Sequence, residues 1–376
     1  MEKALEGLRA ALALSRVPGI GAVTFQRLCG ALGSPVAVWA VSPERLMEVD
    51  GVGTKTAQAI REFKEWDAVD RILEEMSRRQ IQGLYFGGEG YPSLLAQTEG
   101  PPPVLFMKGE ILAKDARAAA IVGTRDPDAY GTRVARETAS ELAGAGFTVV
   151  SGFARGIDQD AHAAALDAGG RTIAVLGCGL DVDYPKGSGS LREAVEKAGA
   201  LVSEFPAGTP PLADNFRQRN RVISGLSLGV VLVQGTAESG ARITVNYALE
   251  QNRQVFCVPG QIHSRRSEAP HHFLKQGAAP LTHPRDVVEA LDPRAASPGP
   301  AAKVKRPGGE GDAPADAGLG KEERSVLEVL SAQSPLHRDD LLARAGLDAS
   351  RGAPVLLRLE LNGRVRVEAG GHYSLA

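Results

Sequence analysis

Cysteine is scarce in this sequence. The 376 residues include three, Cys29, Cys178 and Cys257, and no two of them have the CxxC spacing of a zinc ribbon or a redox motif. Isolated cysteines fit buried thiols in a reducing compartment better than a disulfide framework or a zinc site. We therefore expect no disulfide-based fold and no bound metal.

Long apolar segments and a strong net charge are absent as well. The later apolar runs are no longer than a strand, and near the N-terminus Glu6 and Arg9 interrupt the apolar residues, with no cleavage pattern after them. We therefore expect no signal peptide, no membrane span and a cytoplasmic protein. The formal net charge of −2 gives no overall attraction to nucleic acid. A nucleic-acid site would have to be a local basic patch.

A strand–helix–strand pattern occupies residues 118–166. The apolar run Ala118–Val122 stops at GTR (123–125), an amphipathic helical pattern follows, and a second apolar run stops at Ser151-Gly152. In an open parallel sheet such strand ends line the crevice where ligands bind. Glycine lets a ligand approach the backbone, and free N–H groups near a helix start attract phosphate. An ordinary βαβ unit with tight turns explains the pattern equally well.

Further short apolar runs alternate with helical segments along the chain. They are 172–176, 200–202, 228–233 and 254–258, and most stop at glycine or a small polar residue. This alternation predicts an α/β core, a mostly parallel, Rossmann-like sheet with helices on both faces.

Basic side chains recur in segments expected to gather along one rim of that sheet. They are Arg125, Arg155, Lys186, Arg219 and Arg221. The segment 215–221, which we interpret as a loop, carries three arginines and Phe216. Guanidinium groups suit phosphate geometry, and a phenyl ring can stack on a base. The alternative is a solvated loop with no ligand.

A series of motifs resembles the DNA-processing protein family DprA (also called Smf). In order they are VGTR (122–125), SGFARGID (151–158), GCGLDVDYPK (177–186), SEFP (203–206), RQRNRVISGLS (217–227), ESGARIT (238–244) and VPG (258–260). The resemblance covers about Tyr91 to Leu281 and is far more specific than a single glycine loop.

The resemblance implies a protein that binds single-stranded DNA without catalysis or a cofactor. Such proteins protect incoming strands in natural transformation, load the recombinase RecA and form homodimers. The implied strand-binding residues are Gly123, Thr124, Arg125, Ser151, Gly152, Arg155, Lys186, Phe216, Arg219, Asn220 and Arg221. Asp158, Asp181 and Glu204 are also motif residues, and we interpret Asp158 as orienting neighbouring groups rather than as a catalyst.

An enzyme is the competing interpretation. The LOG-like phosphoribohydrolases, which cleave nucleoside monophosphates, use the same type of sheet with a PGGxGT motif and a glutamate soon after it. At the corresponding place this chain has GTAESG (235–240), which lacks the proline–glycine start but includes Glu238. The missing motif favours the DNA-binding alternative.

The chain departs from the family pattern in two places. Arg217 stands where proline is usual, and Ala269 and His271 replace a glycine and an asparagine. We place His271 and His272 on a loop and reject them as metal ligands, because no third ligand is near. Family members pair through the last part of the core, which makes Phe273 and Leu274 candidate dimer contacts. The alternative places both in the core beside Ala278.

The first 80 residues contain a repeat. LxxVxGIG at 14–21 matches LxxVxGVG at 46–53, and a helical run follows each. This is the pattern of a helix-hairpin-helix pair, whose backbone N–H groups can meet a DNA phosphate. The candidate duplex contacts are Gly19, Gly21, Gly51, Gly53 and Lys55. A helical bundle that only packs on its neighbour is slightly favoured.

The last 85 residues or so divide into a linker and a small domain. Residues 292–320 are rich in proline, glycine and alanine and predict a flexible linker. Residues 321–376 predict three helices and a hairpin turned by Gly370-Gly371, which is a winged helix. Its third helix carries Arg351 and Arg358 as candidate duplex contacts, although a winged helix can equally contact protein. We thus expect a helix-hairpin-helix domain at 1–80, the Rossmann-like core at 81–291, the linker and the winged helix.

Overall fold

A computed structural model describes residues 2–292, 320–332, 334–361, 364–368 and 372–375. The chain divides into two units, Met1–Pro300 and Ala301–Ala376, each of which has its own core. The predicted linker at 292–320 lies outside the described residues apart from its two ends. Within the described residues no helix is both long and apolar enough to cross a membrane.

The first unit begins with a set of helices. They are α1 (Glu2–Arg16), α2 (Ala22–Leu32), α3 (Pro35–Ala40), α4 (Pro43–Met47), α5 (Thr54–Arg61) and α6 (Trp66–Arg78). Buried Leu14, Phe25 and Leu28 form their core, which continues into the sheet residues Phe106 and Leu201. The helices therefore pack on the sheet that follows them in the chain.

Two similar hairpins join α1 to α2 and α4 to α5. Gly19 and Gly51 sit at their turns with φ of 86° and 83°, where a side chain would be strained. A Cβ at Gly19 would lie 3.3 Å from Oγ1 of Thr56, and one at Gly51 would lie 3.1 Å from Nη1 of Arg27. Because Thr56 belongs to α5 and Arg27 to α2, each hairpin packs against the helix that follows the other.

A nine-stranded sheet forms the centre of the first unit. Its strands are β1 (Gln82–Tyr85), β2 (Val104–Gly109), β3 (Ala118–Val122), β4 (Thr148–Ser151), β5 (Thr172–Leu176), β6 (Ala200–Ser203), β7 (Gly229–Leu232), β8 (Gln254–Cys257) and β9 (Ala279–Pro280). Strands β3 to β9 run parallel, whereas β2 pairs antiparallel with β6 and β1 pairs antiparallel with β2. The order is β1-β2-β6-β5-β4-β3-β7-β8-β9.

This order places a topological switch point between β3 and β7. From β3 the chain builds β4, β5 and β6 to one side and then returns to add β7 on the other side. The connections that leave β3 and β7 therefore diverge, which opens a crevice at the carboxyl ends of these two strands.

Helices cover both faces of the sheet. They are α7 (Ser93–Ala96), α8 (Ala129–Gly144), α9 (Ile157–Asp167), α10 (Gly189–Ala198), α11 (Ala213–Gly225), α12 (Ala241–Glu250), α13 (Glu268–Lys275) and α14 (Arg285–Leu291). Along β3, Ala118, Ala120 and Val122 pack in a cluster with α11, α12 and α13, while Ala119 and Ile121 pack in a cluster with α8, α9 and α14. This alternation confirms the predicted parallel sheet between two helical layers.

Two segments that the sequence predicts as loops are helical. Residues 215–221 belong to α11, and His271 and His272 belong to α13. Before Val222 and Ile223 the only large apolar residue of α11 is Phe216, so the charged first half has no apolar periodicity to reveal the helix. Arginine and glutamine are nonetheless good helix formers.

The second unit has the predicted arrangement of a winged helix. Its elements are α15 (Lys321–Ala332), β10 (Leu336–His337), α16 (Arg338–Arg344), α17 (Ala349–Leu361), β11 (Val365–Glu368) and β12 (His372–Leu375). The strands pair antiparallel in the order β10-β12-β11 around a core that includes Val326, Leu341 and Leu359. The predicted turn residues Gly370 and Gly371 lie outside the described residues.

Candidate nucleic-acid interface

A cleft of about 660 Å³ opens at the switch point. The segment after β3 contributes Gly123, Thr124 and Arg125, α11 contributes Phe216 and Arg217, and the segment after β7 contributes Glu238. The cleft thus lies where the diverging connections of the sheet predict a ligand site.

The segment after β3 is fixed to the end of β7. The N–H of Thr124 donates to the carbonyl of Gln234 at 2.8 Å, and the Gln234 amide donates to Asp128 at 2.9 Å. A Cβ at Gly123 would lie 2.7 Å from Cγ1 of Ile157 and 3.0 Å from the carbonyl oxygen of Gln234. Glycine is therefore required here for packing within the chain, and hydrogen bonds join the backbone at the cleft to the end of β7.

Phe216 presents a half-buried aromatic ring to the cleft. Its centroid lies 5.2 Å from that of Tyr184. The guanidinium carbons of Arg125 and Arg219 lie 5.9 Å and 5.7 Å from it. A ring between cations is suited to stack on a base whose phosphate meets a nearby arginine.

Arg219 is buried behind this ring, with 4% of its surface exposed. Its Nη1 donates to the carbonyl of Gly152 at 2.6 Å and to that of Val175. Burial lowers the pKa of Arg219 to about 10, and burial also raises the pKa of Asp158 to about 6 against the nearby Arg219 charge. A Cβ at Gly152 would lie 2.8 Å from both Arg219 Nη2 and Asp158 Oδ2, so glycine is needed at this point.

Arg221 points away from the cleft. Its Nη2 lies 2.5 Å from Oε2 of Glu204, and its Nη1 donates to the carbonyl of Gly100. Burial raises the pKa of Glu204, and the Arg221 charge acts in the opposite direction. The N–H of Gly100 in turn donates to the side chain of Gln26 on α2 at 2.9 Å, which links this corner to the N-terminal helices.

The structure brings some of the predicted strand-binding residues together and leaves others apart. Those that line the cleft are Gly123, Thr124, Arg125, Phe216, Arg219 and Asn220. Those that lie outside it are Ser151, Gly152, Arg155, Lys186 and Arg221. Arg155 and Lys186 are exposed on neighbouring strand-end segments, whereas Ser151 is buried and its hydroxyl donates to the carbonyl of Ile121 at 2.6 Å.

Two further side chains of the cleft wall, Tyr184 and Arg217, are not among the strand-binding residues expected from the sequence. Tyr184 lies in the GCGLDVDYPK motif, but nothing in its spacing indicates that its ring packs on Phe216. The sequence identified Arg217 only as an arginine where the family usually has proline. Its side chain is 70% exposed and lies one helical position after Phe216, so it adds a positive charge to the cleft.

The three cysteines are buried in the fold, as expected from the sequence. Cys29, Cys178 and Cys257 are free and buried, and burial raises the pKa of Cys29 and Cys257 to about 12. Across the described ranges, no group of three or more His, Cys, Asp or Glu side chains is arranged to hold a metal ion.

The candidate duplex contacts differ in whether their side chains already have partners within the chain. Gly19, Gly21, Gly51, Gly53 and Lys55 are all exposed. In the second unit Arg351 contacts Glu322, and Nε of Arg358 lies 3.2 Å from Glu323 Oε1, so both arginines of α17 pair with acids of α15. Both arginine side chains remain more than half exposed.

Ala269 and His271, which replace the glycine and asparagine usual in the family, both lie close to backbone carbonyls. His271 Nε2 lies 3.1 Å from the carbonyl oxygen of Gly260, and the N–H of Ala269 donates to the carbonyl of Gly235 at 2.9 Å. Phe273 is 2% exposed and packs in the sheet core, whereas Leu274 is half-buried against that core. The core alternative therefore describes Phe273, and Leu274 is the more accessible of the two candidate dimer contacts.

The fold and the cleft define a class: a Rossmann-like α/β protein with an N-terminal helix-hairpin-helix segment, a C-terminal winged helix and a cleft at the switch point lined by arginines and an aromatic ring. Comparison with protein families agrees with each part. Residues 82–292 match DNA recombination-mediator protein A, residues 310–371 match the DprA winged helix domain, and residues 11–63 match the SAM-like helix-hairpin-helix tandem. The chain belongs to the DNA recombination-mediator protein A family, also called DprA or Smf.

Individual relatives support this assignment. Protein Smf of Synechocystis is 37% identical over 284 residues, which are 74% of this chain and 71% of that protein. The crystal structure of DNA processing protein A from Streptococcus pneumoniae aligns with a TM-score of 0.65 and 27% identity over 74% of this chain and 96% of that one. The DNA processing protein A of Helicobacter pylori, solved for its single-stranded DNA binding mode, aligns with a TM-score of 0.51 and 27% identity over 56% of this chain and 95% of that one.

Proposed function

We propose that this recombination mediator binds single-stranded DNA in the switch-point cleft, protects it and loads RecA onto it, without catalysing a reaction. The observation that carries the proposal is the placement of exposed Arg125 beside the half-buried Phe216 ring, 5.9 Å from its centroid. This arrangement offers a phosphate contact and a stacking surface to one nucleotide. The relative from Helicobacter pylori, which binds single strands, supports the same conclusion.

The phosphate contact is tested by the salt dependence of binding. Arg125→Ala should weaken binding to a fluorescent oligothymidylate and should reduce the log–log salt slope by about 0.7, because one fewer counterion-releasing contact is made. Fluorescence anisotropy at several salt concentrations measures both quantities. Arg133→Ala is the matched control, since Arg133 is exposed on α8 and does not line the cleft. Unchanged affinity and slope in Arg125→Ala would rule out this site.

The absence of catalysis is a separate part of the proposal. Glu238 lines the cleft and is exposed, so the phosphoribohydrolase alternative has a carboxylate in place. We expect no release of ribose 5-phosphate from nucleoside monophosphates by the purified protein. Release that Glu238→Gln abolishes would show that the chain is an enzyme.

We also propose that the core acts as a homodimer. One cleft holds only a few nucleotides, and two clefts on one strand gain affinity through effective concentration. Leu274, half-buried on α13, remains the candidate contact, and two-fold symmetry would place the same patch on each copy.

The organisation of the chain supports a division of roles. We propose a helix-hairpin-helix domain at 1–80, the strand-binding core at 81–291, a linker at 292–320 and a winged helix at 321–376. The hairpin glycines at 19, 21, 51 and 53 are exposed, so the backbone of the first domain is accessible to double-stranded DNA. For the winged helix, Arg351 and Arg358 pair with glutamates but stay largely exposed, and we keep a duplex contact and a protein contact as equal alternatives.

A further inference from the structure

We propose that Arg219, Asn220 and Arg221 are positioning residues that hold the cleft from behind rather than contacts to the DNA strand. The inference rests on the proposed single-strand binding and assigns these three residues a different part in it. The three are consecutive on α11, so their side chains leave the helix about 100° apart. Each of them donates to the backbone of a different segment of the core.

Arg219 ties α11 to the ends of two central strands. Its Nη1 donates to the carbonyls of Gly152, directly after β4, and of Val175 in β5. Its Nε donates to the side-chain oxygen of Asn220 at 3.2 Å. Turning this guanidinium toward a phosphate would break its hydrogen bonds to both carbonyls.

Asn220 and Arg221 tie the same helix to two further segments. The amide of Asn220 donates to the carbonyl of Gly240 at 3.2 Å, where α12 begins. Arg221 donates to the carbonyl of Gly100 and pairs with Glu204, whose side chain is 6% exposed. The triplet thus connects the ends of β4, β5 and β6 with the start of α12 and the segment before β2.

The groups that this brace positions lie one turn earlier on α11. Phe216 and Arg217 face the cleft there, and the Phe216 ring rests directly on the end of β5. A small rotation of α11 would move both away from Arg125. The triplet therefore sets the distance between the stacking ring and the phosphate contact.

The first test exploits the difference between arginine and lysine. Lysine keeps the positive charge but has no planar fork to reach two carbonyls and an amide oxygen at once. If Arg219 positions α11, Arg219→Lys should weaken oligothymidylate binding about tenfold, comparable to leaving a buried carbonyl unpaired, with an unchanged salt slope. If Arg219 contacts phosphate, Arg219→Lys should bind nearly as well as wild type and Arg219→Gln should lose about 0.7 of the slope.

A second test uses the Arg221–Glu204 pair, which lies away from the central strands. It distinguishes positioning from a phosphate contact even if the Arg219 variants fail to fold. Positioning predicts that Glu204→Gln weakens binding, that Arg221→Met weakens it similarly, and that the double variant is no worse than either. A phosphate contact predicts the opposite sign, because removing the Glu204 charge would free Arg221 and strengthen binding. Stronger binding by Glu204→Gln would overturn the inference.

Hydrogen exchange gives a readout that does not depend on DNA. Loss of the brace should raise amide exchange in residues 152–156 in Arg219→Lys and around Gly100 and Glu204 in Arg221→Met, because those are the segments that each side chain holds, and should leave it unchanged in Arg217→Ala. Exchange that matches wild type in the first two variants would contradict positioning. Single-strand binding itself is tested by the wild-type protein and by Arg125→Ala. A negative result there is therefore distinct from a negative result for the positioning role of the triplet.

Discussion

Replacing Phe216 by alanine is expected to weaken single-strand binding about tenfold to a hundredfold, while the chain stays folded. Stacking of a base on an aromatic ring contributes about 1–3 kcal/mol per base. The ring is half-buried, so its loss removes little of the core. Anisotropy titrations should show a lower affinity with an unchanged salt slope, since a stacking contact releases no counterions. Phe216→Trp, which keeps a ring, should bind at least as well as the alanine variant.

The same loss should follow from a change that does not touch Phe216. A Cβ at Gly177 would lie 2.6 Å from Cδ1 of Phe216, so Gly177→Val has to displace the ring from the cleft wall. Gly189→Val is the matched control, because nothing lies within 4 Å of a Cβ built there. Wild-type affinity in both Phe216→Ala and Gly177→Val would show that the ring is not a stacking surface.

Replacing Phe273 by glutamate is expected to unfold the core. Phe273 is 2% exposed and packs among apolar residues such as Val245 and Val255. Truncating a buried phenylalanine to alanine already costs about 3–5 kcal/mol, and a buried carboxylate adds a desolvation cost. Thermal unfolding followed by circular dichroism should show no cooperative transition at 37 °C or above. A folded Phe273→Glu protein would mean that this side chain leaves the core.

Substitution of Leu274 distinguishes a role in core packing from a role in dimerisation. It is half-buried, so Leu274→Glu should remain folded. If it contributes to a two-fold interface, analytical ultracentrifugation should show a monomer that binds long strands with less cooperativity and loads RecA poorly. His272→Glu, at an exposed neighbouring position on α13, serves as the control. A Leu274→Glu protein that sediments like the wild type would remove Leu274 from the interface.

The sheet and the edge of it at which the cleft opens were predictable from the sequence. Apolar runs that stop at GTR (123–125) and at Ser151-Gly152 mark the ends of β3 and β4, and parallel strands bring such ends to one edge. The hairpins were predictable as well, because the repeated glycines at 19 and 51 occupy turns with positive φ.

The roles of the individual arginines were not predictable. Arg217, Arg219 and Arg221 look alike in a charged stretch, yet the first is exposed, the second donates to buried carbonyls and the third pairs with Glu204. Which way each side chain points depends on α11, and a helix with so few apolar residues in its first half gives no periodic signal. The partners, Gly152, Val175 and Gly100, are distant in sequence and meet these arginines only in the folded chain.

The outermost strand next to α13 limits how two copies could associate. Strand β9 consists of Ala279 and Pro280 and pairs with β8 on one side. Proline has no N–H group, and an open edge this short offers almost no ladder to a second chain. The two sheets of a homodimer therefore cannot merge into one continuous sheet at this edge. Association here must use side chains of the surrounding helices, so it can be tuned by single surface substitutions and carries little risk of open-ended strand-to-strand aggregation.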